Sequence, residues 1–173
     1  GRILIAPELR AAAGLERALA NGRHGLACFW ANLLRYAVPC VPPHHAQLAQ
    51  LTRYLVDEAL RSGWKCPYND ELPCAWGCAR TLWALAATPP AIRPGEWGEA
   101  IDSGLRFLLE QHSLIDADYP TSGRIHRLWF RLNHPLFYQP DILFVLRVPA
   151  ELDALRRPAA EPALNWLRAR QST

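Results

Sequence analysis

Along this chain, stretches that are apolar almost all round alternate with stretches that are apolar on one side only. Residues 25–38 carry Leu26, Phe29, Trp30, Leu33, Leu34 and Tyr36, interrupted only by Asn32 and Arg35, and stop at Pro39-Cys40-Val41-Pro42-Pro43. A run of that length closed by prolines predicts a helix with little face to give to water. Residues 44–61 differ. There Gln47, Gln50, Arg53, Asp57 and Arg61 fall on one side and Leu48, Leu51, Leu55 and Ala59 on the other. This predicts an amphipathic helix that starts at His44 or His45 and is closed by Ser62-Gly63.

The pattern then repeats. Residues 74–87, ending at Thr88-Pro89-Pro90, hold only Arg80 and Thr81 as plainly polar positions, so a buried helix is expected. Residues 96–111 set Glu99, Asp102, Arg106 and Glu110 against Ile101, Leu105, Leu108 and Leu109. The Asp102/Arg106 and Arg106/Glu110 spacings suit ion pairs along that helix. A third apolar helix is expected over 138–148, with Pro140 and Asp141 in its first turn, where proline and an acid are favoured. Residues 156–171 close the series as an amphipathic helix, and 7–20 open it as a packing helix stopped by Asn21-Gly22. Between the helices, 64–73 reads as an aromatic, proline-punctuated loop and 112–135 as a long irregular connection.

The amphipathic members share a local motif, Arg53-Tyr54-Leu55, Arg106-Phe107-Leu108 and Asn165-Trp166-Leu167. Such a spacing points to stacked helical hairpins. Apolar helices forming an inner wall and amphipathic helices an outer one give an all-α fold: an α/α toroid, an incomplete toroid or a curved solenoid. The length of 173 residues suits one domain over residues 1–173. Three hairpins are fewer than a closed ring needs, so the expectation is an arc with a deep groove or a piece of a longer protein. The absence of methionine, Gly1 included, agrees with a fragment or a processed form.

Composition narrows the function classes. The net charge of +3 is spread along the chain, with Lys65 the only lysine, whereas a nucleic-acid binder concentrates positive charge in a stripe or patch. No apolar run is long enough to span a membrane, and the first residues are too few for a signal peptide, so a cytoplasmic protein is expected. The odd set Cys28, Cys40, Cys66, Cys74 and Cys78 reads as reduced thiols. Cys66, Cys74 and Cys78 form the best available metal cluster, but they lack the tight CxxC pairs of structural zinc sites, so no metal or other cofactor is expected. No Gly-rich phosphate loop, nucleophile elbow or HExxH segment is present.

Two helix pairs resemble the terpenoid cyclase and protein prenyltransferase superfamily of α/α toroids. The first is Leu72-Pro73-Cys74-Ala75-Trp76-Gly77 running into Arg80-Thr81-Leu82-Trp83-Ala84-Leu85, followed by Ala100-Ile101 and Gly104 to Leu109. The second is Trp129-Phe130-Arg131-Leu132-Asn133-His134-Pro135-Leu136-Phe137-Tyr138-Gln139-Pro140-Asp141-Ile142-Leu143, followed by Ala163-Leu164-Asn165-Trp166-Leu167. The resemblance covers residues 64–171 and implies a central cavity for an isoprenoid chain, ringed by aromatic faces that stabilise cationic intermediates. Trp64, Trp76, Tyr119, Trp129, Phe137 and Tyr138 lie where such a ring would form. Core packing is the competing role for each of them.

The resemblance also implies acids. The cyclases protonate substrate with a DxDD motif, whose nearest counterpart here is Asp116-Ala117-Asp118-Tyr119, lacking the final acid. Asp141 is the third catalytic candidate, with complementing the dipole of its own helix as its alternative role. The prenyltransferases hold zinc with Asp, Cys and His, for which Asp70, Cys74 and His134 are the available residues. Two functions follow. One is an enzyme, or a relative of one, that binds or acts on an isoprenoid or another apolar ligand in the cavity. The other is a non-catalytic helical-repeat module that meets a protein partner, or a second copy of itself, at its concave or open side. An enclosed, aromatic-lined pocket of about 300–1,000 Å³ would favour the first.

Overall fold

Prolines and glycines set the ends of the helices much as their local chemistry dictates. The computed structural model describes residues 27–66, 71–111, 127–132 and 140–171, and among these there are six α-helices. Helix α1 is Ala27–Ala37 and passes through a 3-10 turn at Val38–Cys40, where Pro39 cannot extend the α-helical hydrogen bonding. Helix α2 is Ala46–Ser62. His45 caps its start by accepting from Gln47 N–H through Nδ1 (3.3 Å), and Gly63 ends it in the left-handed conformation at φ 58°. The expected helix over 7–20 lies outside the described residues.

The loop expected at 64–73 contains an element that two-residue strands cannot announce by alternation. β1 (Lys65–Cys66) and β2 (Leu72–Pro73) pair antiparallel, Lys65 opposite Pro73 and Cys66 opposite Leu72. Trp64 enters this hairpin at φ 66°, a costly backbone region for a bulky residue. Its position is fixed on three sides: Trp64 N–H donates to Ser62 Oγ (3.2 Å), its carbonyl accepts from Cys74 N–H (2.8 Å), and its indole N–H donates to Ser103 Oγ (3.2 Å).

Helix α3, Ala75–Ala86, buries every residue from Ala75 to Leu85 except Gly77, which is half-buried. The helix expected to have no face for water therefore has none. Helix α4 is Trp97–Arg106 and runs into a π-helical turn at Phe107–Gln111. Helix α5 is Ile142–Glu151, and α6 is Glu161–Arg168, started five residues later than the pattern suggests because Pro158 opens a 3-10 turn first.

Helix α3 packs against α1, α2, α4 and α5; α1 also meets α2, α2 meets α4, and α5 meets α6. The three apolar helices thus adjoin in the order α1, α3, α5, and the amphipathic α2 and α4 adjoin each other. The two flanking apolar helices are less covered than their composition suggests. Phe29 and Tyr36 on α1 are exposed at 36% and 64%, and Leu143 on α5 at 51%; among the described residues α1 packs mainly on α2 and α3, and α5 on α3 and α6.

Charged side chains fasten the amphipathic elements to one another. Arg53 of α2 pairs with Glu96 at the start of α4 (3.0 Å), and Asp102 of α4 pairs with Arg157 ahead of α6 (2.9 Å). Asp102 therefore reaches across to the next element in place of the Asp102/Arg106 pair along its own helix. Exposed pairs of this kind contribute about 0–1 kcal/mol each, so they set alignment more than stability.

Candidate functional site

The arginines that interrupt the apolar helices converge on one indole. Each of α1, α3 and α5 carries a single arginine, Arg35, Arg80 and Arg147. Their guanidinium carbons lie 4.6, 5.7 and 5.8 Å from the ring centre of Trp83. Phe144 meets the same indole edge-on at 5.2 Å and Tyr36 at 5.8 Å, while Arg80 sits 4.4 Å over Phe144. Cation–π contacts of this kind are worth about 0.5–2 kcal/mol, more when water is excluded. Arg80, only 4% exposed, also donates from Nη1 to Asn32 Oδ1 (3.3 Å), so α1, α3 and α5 are tied by one buried cation.

Glu151 closes the cluster at the end of α5. Its Oε2 accepts from Arg35 Nη1 (2.6 Å), and its Oε1 accepts from Arg35 Nη2 (3.2 Å) and Arg147 Nε (2.7 Å). Arg35 Nη1 also donates to the Trp83 carbonyl (2.9 Å). Burial alone would raise the Glu151 carboxyl, but the hydrogen bonds and charges of Arg35 and Arg147 outweigh it and hold the group below its ordinary value of 4.5.

A carboxylate whose folded pKa is depressed stabilises the fold above its unfolded pKa and loses that contribution as pH falls through the folded value. Urea unfolding of the wild type and Glu151→Gln is therefore expected to show a clear stability gap at about pH 7 that narrows below about pH 4.5. A gap unchanged down to about pH 3 would mean that the carboxylate's charge does not hold α1 to α5.

The residues singled out by sequence fall in several places. Trp64 and Trp76 are each 7% exposed and Trp129 1%. Trp64 packs on Phe107 of the π-helical turn, with ring centres 6.2 Å apart. Trp76 stands in the first turn of α3, and Trp129 in a 3-10 turn at Arg127–Phe130. Asp141 is the N-cap of α5, its Oδ1 accepting from Phe144 N–H (2.9 Å), a role worth about 0.5–2 kcal/mol. Asp116, Asp118, Tyr119, Phe137 and Tyr138 lie outside the described residues, as do Asp70 and His134.

The cysteines do not act as a group. Among the described residues no cluster of three His, Cys, Asp or Glu side chains could hold a metal ion. Cys74 caps α3, its Sγ accepting from Gly77 N–H (3.1 Å). Cys78 is buried, donates to the Gly104 carbonyl (3.6 Å), and its thiol is pushed well above the ordinary range by burial, which keeps it neutral. Cys66 stands in the hairpin opposite Leu72.

A groove of about 270 Å³ opens elsewhere, between α2 and the 3-10 turn Pro90–Ile92, lined by Ala49, Arg53, Ala91, Ile92, Arg93 and Pro94. It involves none of the aromatic candidates. Both its arginines already have partners: Arg53 holds Glu96, while Arg93 donates to the Thr88 carbonyl (2.9 Å) and stacks on Trp97 at 4.1 Å.

Sequence reasoning missed the Trp83 cluster, although its signal was present. One arginine inside each of three largely apolar helices is unusual unless the helices bring them to a common partner. Among the described residues no helix is long and apolar enough to cross a membrane. Comparisons with family models, with curated proteins and with solved structures find no match for this chain.

Proposed function

We propose that this chain is a non-catalytic helical-repeat module, built on the α/α plan, that binds a protein partner across α1 and α5. The observation that carries this reading is the division of labour among its side chains. Asp141 caps a helix, and Trp64, Trp76 and Trp129 are packed in the core. Of the side chains that meet Trp83, Tyr36 and the half-exposed Arg147 remain at the surface, and Leu143 is exposed one helical turn before Arg147 on α5. Apolar and aromatic groups exposed together next to oriented charge are the makings of an interface core with a polar rim. Stacking of helical hairpins into an arc of a toroid would present such a face along its apolar row.

The test is selection of linear peptides from a random display library on the intact chain and on the double variant Tyr36→Ser/Leu143→Ser. The reading expects peptides enriched on the wild type that lose at least about tenfold in affinity on the variant, as loss of two interface anchors should produce. Selection of no peptide, or equal affinity for the variant, would overturn it.

A second reading is that the chain binds an isoprenoid or another apolar ligand in a toroid of the cyclase and prenyltransferase type. The adjacency of α1, α3 and α5, with Trp76 at the start of α3, favours it. Native mass spectrometry of the purified chain checks it: a retained apolar molecule supports the reading, and a bare chain counts against it.

A further inference from the structure

We infer that the partner docking across α1 and α5 is an acidic peptide segment, seated by a carboxylate on Arg147 with an apolar side chain beside Tyr36 and Leu143. This rests on the docking reading above and gives it a chemistry. Arg147 is oriented but only partly used. Its Nε donates to Glu151 Oε1 (2.7 Å), while 56% of its side chain is exposed, and among the described residues its terminal amino groups have no acceptor. An arginine fixed through Nε presents its two terminal N–H groups as a flat fork, the geometry that accepts a carboxylate by two parallel hydrogen bonds.

Glu151 cannot fill that fork. Its oxygens already take three hydrogen bonds, two of them from Arg35. Arg35 and Arg147 thus share one carboxylate, which leaves a positive charge in excess at the rim and calls for an incoming negative one. The apolar half of the recognition lies alongside. Leu143 is one helical turn before Arg147 on α5, and Tyr36 reaches the same Trp83 indole from α1. An acidic residue next to an aliphatic or aromatic one fits both halves. A purely anionic polymer such as a nucleic acid would leave Tyr36 and Leu143 uncovered, and an uncharged apolar segment would leave the fork unfilled.

The same display selection tests this with different variants. Peptides enriched on the intact chain are expected to carry Asp or Glu next to an apolar residue. A synthetic peptide made from the consensus should lose about tenfold in affinity on Arg147→Ala, and a similar factor when its own acid is changed to the amide. Arg147→Lys, which keeps the charge and loses the fork, should recover only part of the loss. Arg106→Ala, which removes an exposed arginine from α4, should leave affinity unchanged, and circular dichroism is to check that each variant keeps its helix content.

Enriched peptides without an acid, which bind Arg147→Ala as well as the wild type yet still need Tyr36 and Leu143, would overturn the acidic partner while the docking face stands. Acidic peptides that lose affinity equally on Arg106→Ala would overturn the site, since general charge would then explain binding. Failure to select any peptide would overturn the docking reading and this inference together.

Discussion

Replacing Trp83 with alanine is expected to lower the free energy of unfolding by about 3–5 kcal/mol, read as a shift in the urea midpoint at unchanged slope. The indole is 6% exposed and lies where α1, α3 and α5 meet, touched by Tyr36, Phe144 and three guanidinium groups. Alanine would remove the surface on which those cations rest and leave Arg80 nearly buried without it. Trp83→Phe should cost much less. It keeps a ring in the cleft and gives up an indole N–H that is buried with no acceptor among the described residues. A loss below about 1 kcal/mol for the alanine variant would show that the three helices do not close on this side chain.

The second large effect is expected at Gly104, where α4 packs directly on Leu82 of α3. A Cβ placed there would stand 2.7 Å from Leu82 Cδ2, 2.8 Å from Cδ1 and 2.9 Å from Cγ, and Leu82 is fully buried. Alanine in a helix interior ordinarily gains about 1 kcal/mol over glycine. Here the overlap involves the branch carbon as well as both methyls, so the side chain cannot turn away without moving its neighbours. The clash is expected to win, and Gly104→Ala should lose about 1–3 kcal/mol net. The partner is identified by a double-mutant cycle: Gly104→Ala combined with Leu82→Ala should cost less than the sum of the two single changes. Simple additivity would place the overlap elsewhere.

Both effects centre on the helix over 75–86, and the sequence makes that helix easy to find. Twelve residues with two polar interruptions and a closing Thr88-Pro89-Pro90 admit little besides a buried helix. The amphipathic helices are as readable, since Arg53 and Arg106 of the shared motif are exposed while Tyr54, Leu55, Phe107 and Leu108 are buried. Elements held by contacts distant in sequence are not readable in this way. The hairpin at 65–73 is two residues deep and depends on Trp64 taking a left-handed backbone that its own chemistry disfavours. The ion pairs of Asp102 and Arg35 reach across 55 and 116 residues, beyond any local spacing rule.

The candidate site shows the same division. Asp141 is legible as a helix-start acid, and the structure places it one residue ahead of the helix, as the cap that accepts from Phe144 N–H. Aromatic residues before helix starts are ambiguous by nature, because the same side chains fill a core or line a cavity. Trp64, Trp76 and Trp129 are buried, while Tyr36 and Leu143, each embedded in a run that reads as largely apolar, are exposed. Exposure of these two follows from α1 and α5 flanking α3, a property of the array that no single helix encodes.

Helix 75–86 is the buried centre of that array, with α1 and α5 as its partly exposed flanks. Native-state hydrogen exchange, resolved by residue, tests this most directly. The prediction is that amides from Cys78 to Leu85 exchange only through global unfolding and are the slowest in the chain, while those of α6 exchange through smaller openings. Exchange of the Cys78–Leu85 amides as fast as those of α6 would contradict it.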